Sequence, residues 1–228
     1  MEIVKMKALE LIMDWSLWPR YEANDLDRTN INQLKDAMRT GANIPPIIVD
    51  KRSFRIIDGF HRTKAYLSVF GEDVEIDVEL REYKNDIEMF SDAARLNARQ
   101  GLKLSQKDRA HVMLILRRKK VPWPVIAEVL NVNIEKMKKF FQERTATTKE
   151  GEKIPLSYGA KDLGGKKLTK KQEIYARHSN GMLPIVNARL LLNALNANVY
   201  PLTSKEIEIL TELRLAIDDL LSKVEVAA

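Results

Sequence analysis

Apolar positions mark out a succession of short elements along the first hundred residues. Residues 7–13 alternate weakly, as an edge strand does, and Ile31, Leu34 and Met38 recur at helical spacing until Gly41 stops that helix. Ile44-Pro45-Pro46-Ile47-Ile48-Val49 reads as a loop entering a short buried strand, with a second strand over 54–57. A helix follows with Ala65, Tyr66, Val69 and Phe70 on its inner face. Val74, Ile76, Val78 and Leu80 then alternate as a third strand, and a helix over 86–100 closes a small α/β domain.

From residue 101 the strand period disappears. Ser105 is a good N-cap for a helix that ends in Arg117-Arg118-Lys119-Lys120, where the helix dipole favours cations. Pro124 then suits the first turn of another helix. Over 123–142, Ile126, Ala127, Leu130, Val132, Met137 and Phe140 fill the apolar positions of a helix, a tight turn and a second helix. Asn131 occupies the turn, where a positive φ is needed and asparagine is the next best residue after glycine. The solvent side of the second helix is expected to carry Asn133, Lys136, Lys138, Lys139, Gln142 and Arg144. Amides and cations of that kind meet base edges and phosphates in a major groove.

Residues 146–180 are rich in Lys, Thr and Gly and read as a basic linker or exposed loop. Two helices follow, over 183–195 and 204–224. In the second, Leu210, Leu213, Ile217, Leu220 and Val224 recur at coiled-coil spacing, which suits packing within the monomer or a homodimer. The expected fold is therefore α+β: an α/β domain over 1–100, an all-α helix-turn-helix region over 101–145, the basic segment, and a helical tail over 181–228.

Charge sharpens this division. The net charge of the 228-residue chain is +6, yet residues 101–180 hold 19 Lys and Arg against 8 Asp and Glu, while the flanking segments are slightly acidic. Phosphate binding needs such a concentration of positive potential, so double-stranded DNA is the expected partner. There is no cysteine, which excludes disulfides and thiolate metal sites, and the three histidines have no ligand spacing, so no metal site is expected. No apolar run is long enough to span a membrane and the opening residues do not read as a secretory signal, which makes the cytoplasm the expected location.

The remaining motif is Arg55-Ile56-Ile57-Asp58-Gly59-Phe60-His61-Arg62-Thr63-Lys64, running from strand through a glycine turn into a helix start. Backbone N–H groups at such a junction attract anions. On physics alone a structural turn is the better reading. Asp58-Gly59-Phe60-His61-Arg62, preceded by Pro45-Pro46-Ile47-Ile48-Val49 and followed by Asn97-Ala98-Arg99-Gln100-Gly101-Leu102-Lys103-Leu104-Ser105, resembles the ParB/sulfiredoxin superfamily, and within it the ParB/KorB/StrR-type DNA-binding proteins. The resemblance covers about residues 7–145.

It implies a ParB-like domain whose turn binds the phosphates of a nucleoside triphosphate, CTP or ATP with Mg. Gly59, His61, Arg62, Asn97 and Arg99 become the candidate nucleotide residues, with Arg20 at the amino end of the pocket. Phe60 and His61 depart from the Glu-Arg of ParB, and Phe60 stands where sulfiredoxin has its cysteine, which rules that activity out. A related branch phosphorylates free serine; there Asp58 or His61 would be catalytic, with Glu22 an outside candidate for a base. Two readings follow: a sequence-specific DNA-binding protein, regulatory or partition-like and modulated by nucleotide, or a nucleotide-dependent kinase or hydrolase centred on Asp58 to Arg62.

Overall fold

The computed structural model describes residues 2–21, 26–99, 104–179, 184–197 and 203–225. The chain divides into two compact units, residues 1–181 and 182–228.

The first unit is built on a four-stranded mixed sheet of order β1-β4-β2-β3, with β1 Glu2–Lys7, β2 Ile47–Asp50, β3 Ile56–Asp58 and β4 Glu75–Arg81. β4 runs antiparallel to β1 and parallel to β2, and a register shift between Ile48 and Val49 marks the β2–β3 pair. Successive strand residues point to opposite faces. Ile47, Val49, Ile56, Ile76 and Val78 enter one cluster with Trp18 and Phe60. Ile48 and Ile57 enter another, on the side of α3 (Asp86–Arg99). The other helices over the sheet are α1 (Arg28–Arg39) and α2 (Phe60–Phe70).

The amino-terminal strand lies earlier than the expected 7–13. Ala8 and Leu11 are both buried, a spacing of three that belongs to the 3₁₀ turn formed by Ala8–Glu10, so the strand ends at Lys7.

α4 (Gln106–Arg118), α5 (Trp123–Val129) and α6 (Ile134–Glu143) follow. Ser105 and Asp108 form a reciprocal capping box on α4. Val112, Met113, Leu116, Ile126, Leu130, Met137 and Phe141 belong to the same apolar cluster as Ile48, Ile57, Met89 and Phe90. The helices and the sheet therefore share one core, and no packing boundary separates 1–100 from 101–145.

The expected linker over 146–180 is folded instead. β5 (Thr145–Thr147) and β6 (Lys153–Pro155) make an antiparallel hairpin, followed by a 3₁₀ segment Tyr158–Leu163 and α7 (Lys170–His178). Apolar residues are sparse here, but Ala146, Ile154, Leu156, Ala160, Leu168 and Ala176 converge into a small core of their own. Glu152 ties this module down by pairing with Arg118 of α4 at 3.0 Å and Arg177 of α7 at 3.3 Å.

The second unit contains α8 (Pro184–Asn196) and α9 (Ser204–Glu225). Leu190, Leu192, Ile207, Leu213, Leu215 and Ile217 are among its exposed large apolar side chains. The side chains of Leu220 and Val224 lie outside the described residues.

Candidate functional site

Two regions of the first unit carry candidate chemistry. The first is a cavity of about 440 Å³ beside the β3–α2 junction, lined among others by Trp18, Arg20, Asn30, Asp58, Gly59, Phe60, His61, Arg62, Glu79, Arg81 and Asn97. That volume lies within the range of small-molecule sites. Gly59 makes the junction possible: its φ is +119°, and a Cβ there would lie 2.7 Å from Cδ1 of the fully buried Ile47. The first N–H groups of α2, from Phe60 onward, thus open beside the cavity.

The expected residues Arg20, Gly59, His61, Arg62 and Asn97 converge on this cavity, while the side chain of Arg99 and all of Glu22 lie outside the described residues. Their engagements are specific. Arg62 donates to Asp58 Oδ2 at 2.7 Å and to the carbonyls of Pro45 and Pro46 at 2.8 Å each. Its guanidinium bolts α2 to the strand entry, so an incoming phosphate would have to compete with three acceptors. His61 Nε2 accepts the Asp27 N–H at 3.1 Å, which requires the unprotonated nitrogen. Burial, with Arg20 nearby, holds the His61 pKa below its usual value, while Asp27 and Asp58 pull the other way. Asn97 donates its amide to the Ala93 carbonyl at 2.9 Å, which leaves an acceptor oxygen for a hydroxyl or amine. The two candidate catalytic groups, Asp58 and His61, are thus both engaged by neighbours of the fold.

Glu79 and Arg81 were missed by sequence reasoning. They share a strand face, and Arg81 donates to Glu79 at 2.7 Å and to Asp92 of α3 at 2.8 Å. Burial opposes charge on Arg81, but these two carboxylates raise its pKa. Their i,i+2 spacing on β4, opposite the apolar face of Ile76, Val78 and Leu80, was the available signal.

The cavity is also joined to the helices. Arg20 Nη1 lies 3.6 Å from Asp108 Oδ2, and the Tyr21 N–H donates to Asp108 Oδ1 at 3.0 Å. Lys107 sits 4.3 Å from the Tyr21 ring centre and donates to the Arg177 carbonyl at 3.0 Å. Asp108, which caps α4, therefore also holds the segment that delivers Arg20.

The second region is the outer face of α6. Asn131 has φ +51°, the left-handed turn expected of it, and Asn133, two residues later, is the N-cap of α6, accepting from the Glu135 and Lys136 N–H groups. Met137 and Phe141 are buried one turn apart, with Phe140 only partly covered. Lys136, Lys138, Lys139 and Gln142 are exposed. Arg144 departs from expectation. It lies beyond the last residue of α6, its carbonyl accepts the Leu156 N–H, and its side chain is buried rather than on the solvent face. Among the described residues, no group of three or more His, Asp or Glu is placed to hold a metal, and no helix is long and apolar enough to cross a membrane.

No protein-family model matches the chain, and no curated protein does. Solved structures do. The C-terminally truncated chromosome-partitioning protein ParB from Caulobacter crescentus, complexed to the centromeric parS site, aligns at 12% identity over 91% of this chain and 97% of its own, with a TM-score of 0.46. The same protein complexed with CTP-gamma-S aligns at 13% identity over 62% of this chain and 78% of its own, at 0.37. A Pnob8-like ParB-N domain aligns at 17% identity and 0.35, over 68% of this chain and 58% of that one.

Proposed function

We propose that the chain binds double-stranded DNA through α6, in a regulatory or partition-like role, and that the cavity at the β3–α2 junction takes a nucleotide that modulates binding. The observation that carries this reading is the outer face of α6. Its inner side is anchored by Met137 and Phe141, a left-handed Asn131 sets its angle to α5, and Lys136, Lys138, Lys139 and Gln142 stand free of the core. The lysines would neutralise phosphates and Gln142 would read a base edge. Asn133 would contribute through its amide nitrogen, since its oxygen caps the helix.

For the cavity, support comes from the α2 N-terminal N–H groups and Arg20 as phosphate donors and Asn97 as an acceptor. CTP or ATP is the ligand class that the sequence resemblance implies. Exposed apolar residues on α8 and α9 support a homodimer, and a dimer would read two half-sites related by two-fold symmetry.

Fluorescence anisotropy with random-sequence duplex across a salt series tests the reading. Binding should fall steeply with salt, and the double variant Lys138→Ala, Lys139→Ala should reduce the log–log slope by about 2, close to 0.9 per phosphate contact. Parent and double variant with the same affinity and slope would rule out α6 as the DNA-facing helix.

A further inference from the structure

The residue that caps α6 carries a charge that no carboxylate among the described residues pairs with. Arg144 is 9% exposed, and its Nε and Nη1 are buried with no hydrogen-bond partner. Among the described residues no carboxylate pairs with it; the adjacent Glu143 faces Lys139 at 3.9 Å. The Arg144 guanidinium lies 5.2 Å from the centre of the Tyr158 ring, and Lys161 Nζ lies 5.0 Å from the same centre. Two cations thus share one aromatic ring. The α6 carboxyl end and the ring's electrons offset part of the cost, but the cations repel one another and the buried N–H groups remain unmet. A desolvated guanidinium with open donors is complementary to an anion with several acceptor oxygens. Tyr158 remains 45% exposed, so the ring that the guanidinium faces is open to solvent while the guanidinium lies beneath it.

The surrounding chain concentrates further positive charge. Past the 3₁₀ segment, Gly164 packs so closely on α6 that a Cβ there would fall on the Glu143 carbonyl. The chain continues into Lys166 and Lys167, both exposed, which run alongside β5; the Thr147 N–H donates to the Lys166 carbonyl at 2.9 Å. Asp162 is the exposed carboxylate of this stretch, and the buried Glu173 already pairs with Arg177.

We propose that Arg144, Tyr158 and Lys161 form a second phosphodiester-binding site beside the carboxyl end of α6, with Lys166 and Lys167 extending it along the backbone of the same nucleic acid. The identity of the polymer as duplex DNA rests on the function proposed above; the anion site does not. Arg144 supplies positive charge from beneath the ring, Lys161 the solvent-side charge, and the Tyr158 ring a flat surface against a sugar or base.

Two measurements on the full chain test this. The first compares melting temperature in sodium sulfate and in sodium chloride at equal ionic strength, for the parent, Arg144→Met and Lys161→Ala. Arg144→Met should melt at or above the parent in chloride, because it removes an unmet charge while keeping an apolar stem. Both variants should lose much of the extra stabilisation that sulfate gives the parent. The second is duplex anisotropy across a salt series, where each variant should bind roughly five- to tenfold more weakly near 0.1 M salt and lower the slope by about 1.

An undiminished sulfate response and an unchanged slope in both variants would overturn the site. Should Arg144→Met melt below the parent, Lys161→Ala decides, because that side chain is exposed: an unchanged slope there overturns the proposal equally. A duplex response confined to Lys138→Ala, Lys139→Ala would leave the α6 reading standing and remove this one. A parent that binds no duplex yet shows a sulfate response dependent on Arg144 would do the reverse.

Discussion

At Gly59 and Asn131 the backbone turns through positive φ, so each position admits few side chains. Gly59 could be placed at the strand-to-helix turn because only its missing Cβ fits there, and Asn131 because a left-handed turn tolerates few residues. Arg62 could be placed at the cavity, but not its engagement with the Pro45 and Pro46 carbonyls, which depends on chain sixteen and seventeen residues away. Arg144 illustrates the opposite error: helical phase continued one residue too far puts it outside, whereas the helix ends at Glu143 and the side chain turns in.

His111 gives a residue-scale prediction. Burial pushes its pKa down to about 4, with Arg118 acting in the same direction and Asp108 against, and its ring meets the Tyr21 ring edge-on at 5.6 Å. The unfolded chain binds this proton near its ordinary value of about 6.5 and the folded chain only near 4, so stability falls as pH drops from about 7 towards 4 and the loss is complete below that. His61, shifted in the same direction, adds to it. From pH 7.5 to 5, urea unfolding of the parent should lose about 2 kcal/mol more than that of His111→Gln. Parallel pH profiles for the two would show that His111 does not drive the loss.

Among the elements, the α5–turn–α6 pair was readable because its constraints are short-range: small, apolar and left-handed positions within twenty residues. The module over 146–180 was not. Its core consists of six residues, half of them alanine, interleaved with lysines and glycines, so neither helical nor strand period rises above the polar background. What makes it fold is contact at long sequence separation, such as the pairing of Glu152 with Arg118. The turn itself can be probed. Asn131→Gly should leave the urea midpoint nearly unchanged, whereas Asn131→Val forces a β-branched residue to positive φ and should cost about 1–2 kcal/mol. Equal midpoints for Gly and Val would mean that the turn relaxes out of the left-handed region.

For the molecule as a whole, the alternating charge of the sequence, acidic and then basic, maps onto one continuous unit rather than onto separate domains, because the apolar face of α3 serves both the sheet and the helices. The helical tail is a different matter. Leu190, Leu192, Ile207, Leu215 and Ile217 are exposed, and apolar surface on this scale would suit association between copies. Sedimentation velocity should show a mass that rises with concentration, and replacing Leu192 and Leu215 by Asp should hold the protein at the monomer value. A parent that stays monomeric throughout would assign these residues another role.

Asp108 has one more implication. Its two oxygens serve the cap of α4 and also the backbone of Tyr21 and the side chain of Arg20 at the cavity wall. A ligand that drew Arg20 inward would therefore change the setting in which α4 begins, and a polymer that strained α4 would change the setting of Arg20. Linkage then requires the two effects to be equal: the factor by which cavity occupancy changes affinity for the polymer is the factor by which the polymer changes affinity for the cavity ligand. Whatever coupling Asp108 carried between the cavity wall and α4 would act equally in both directions.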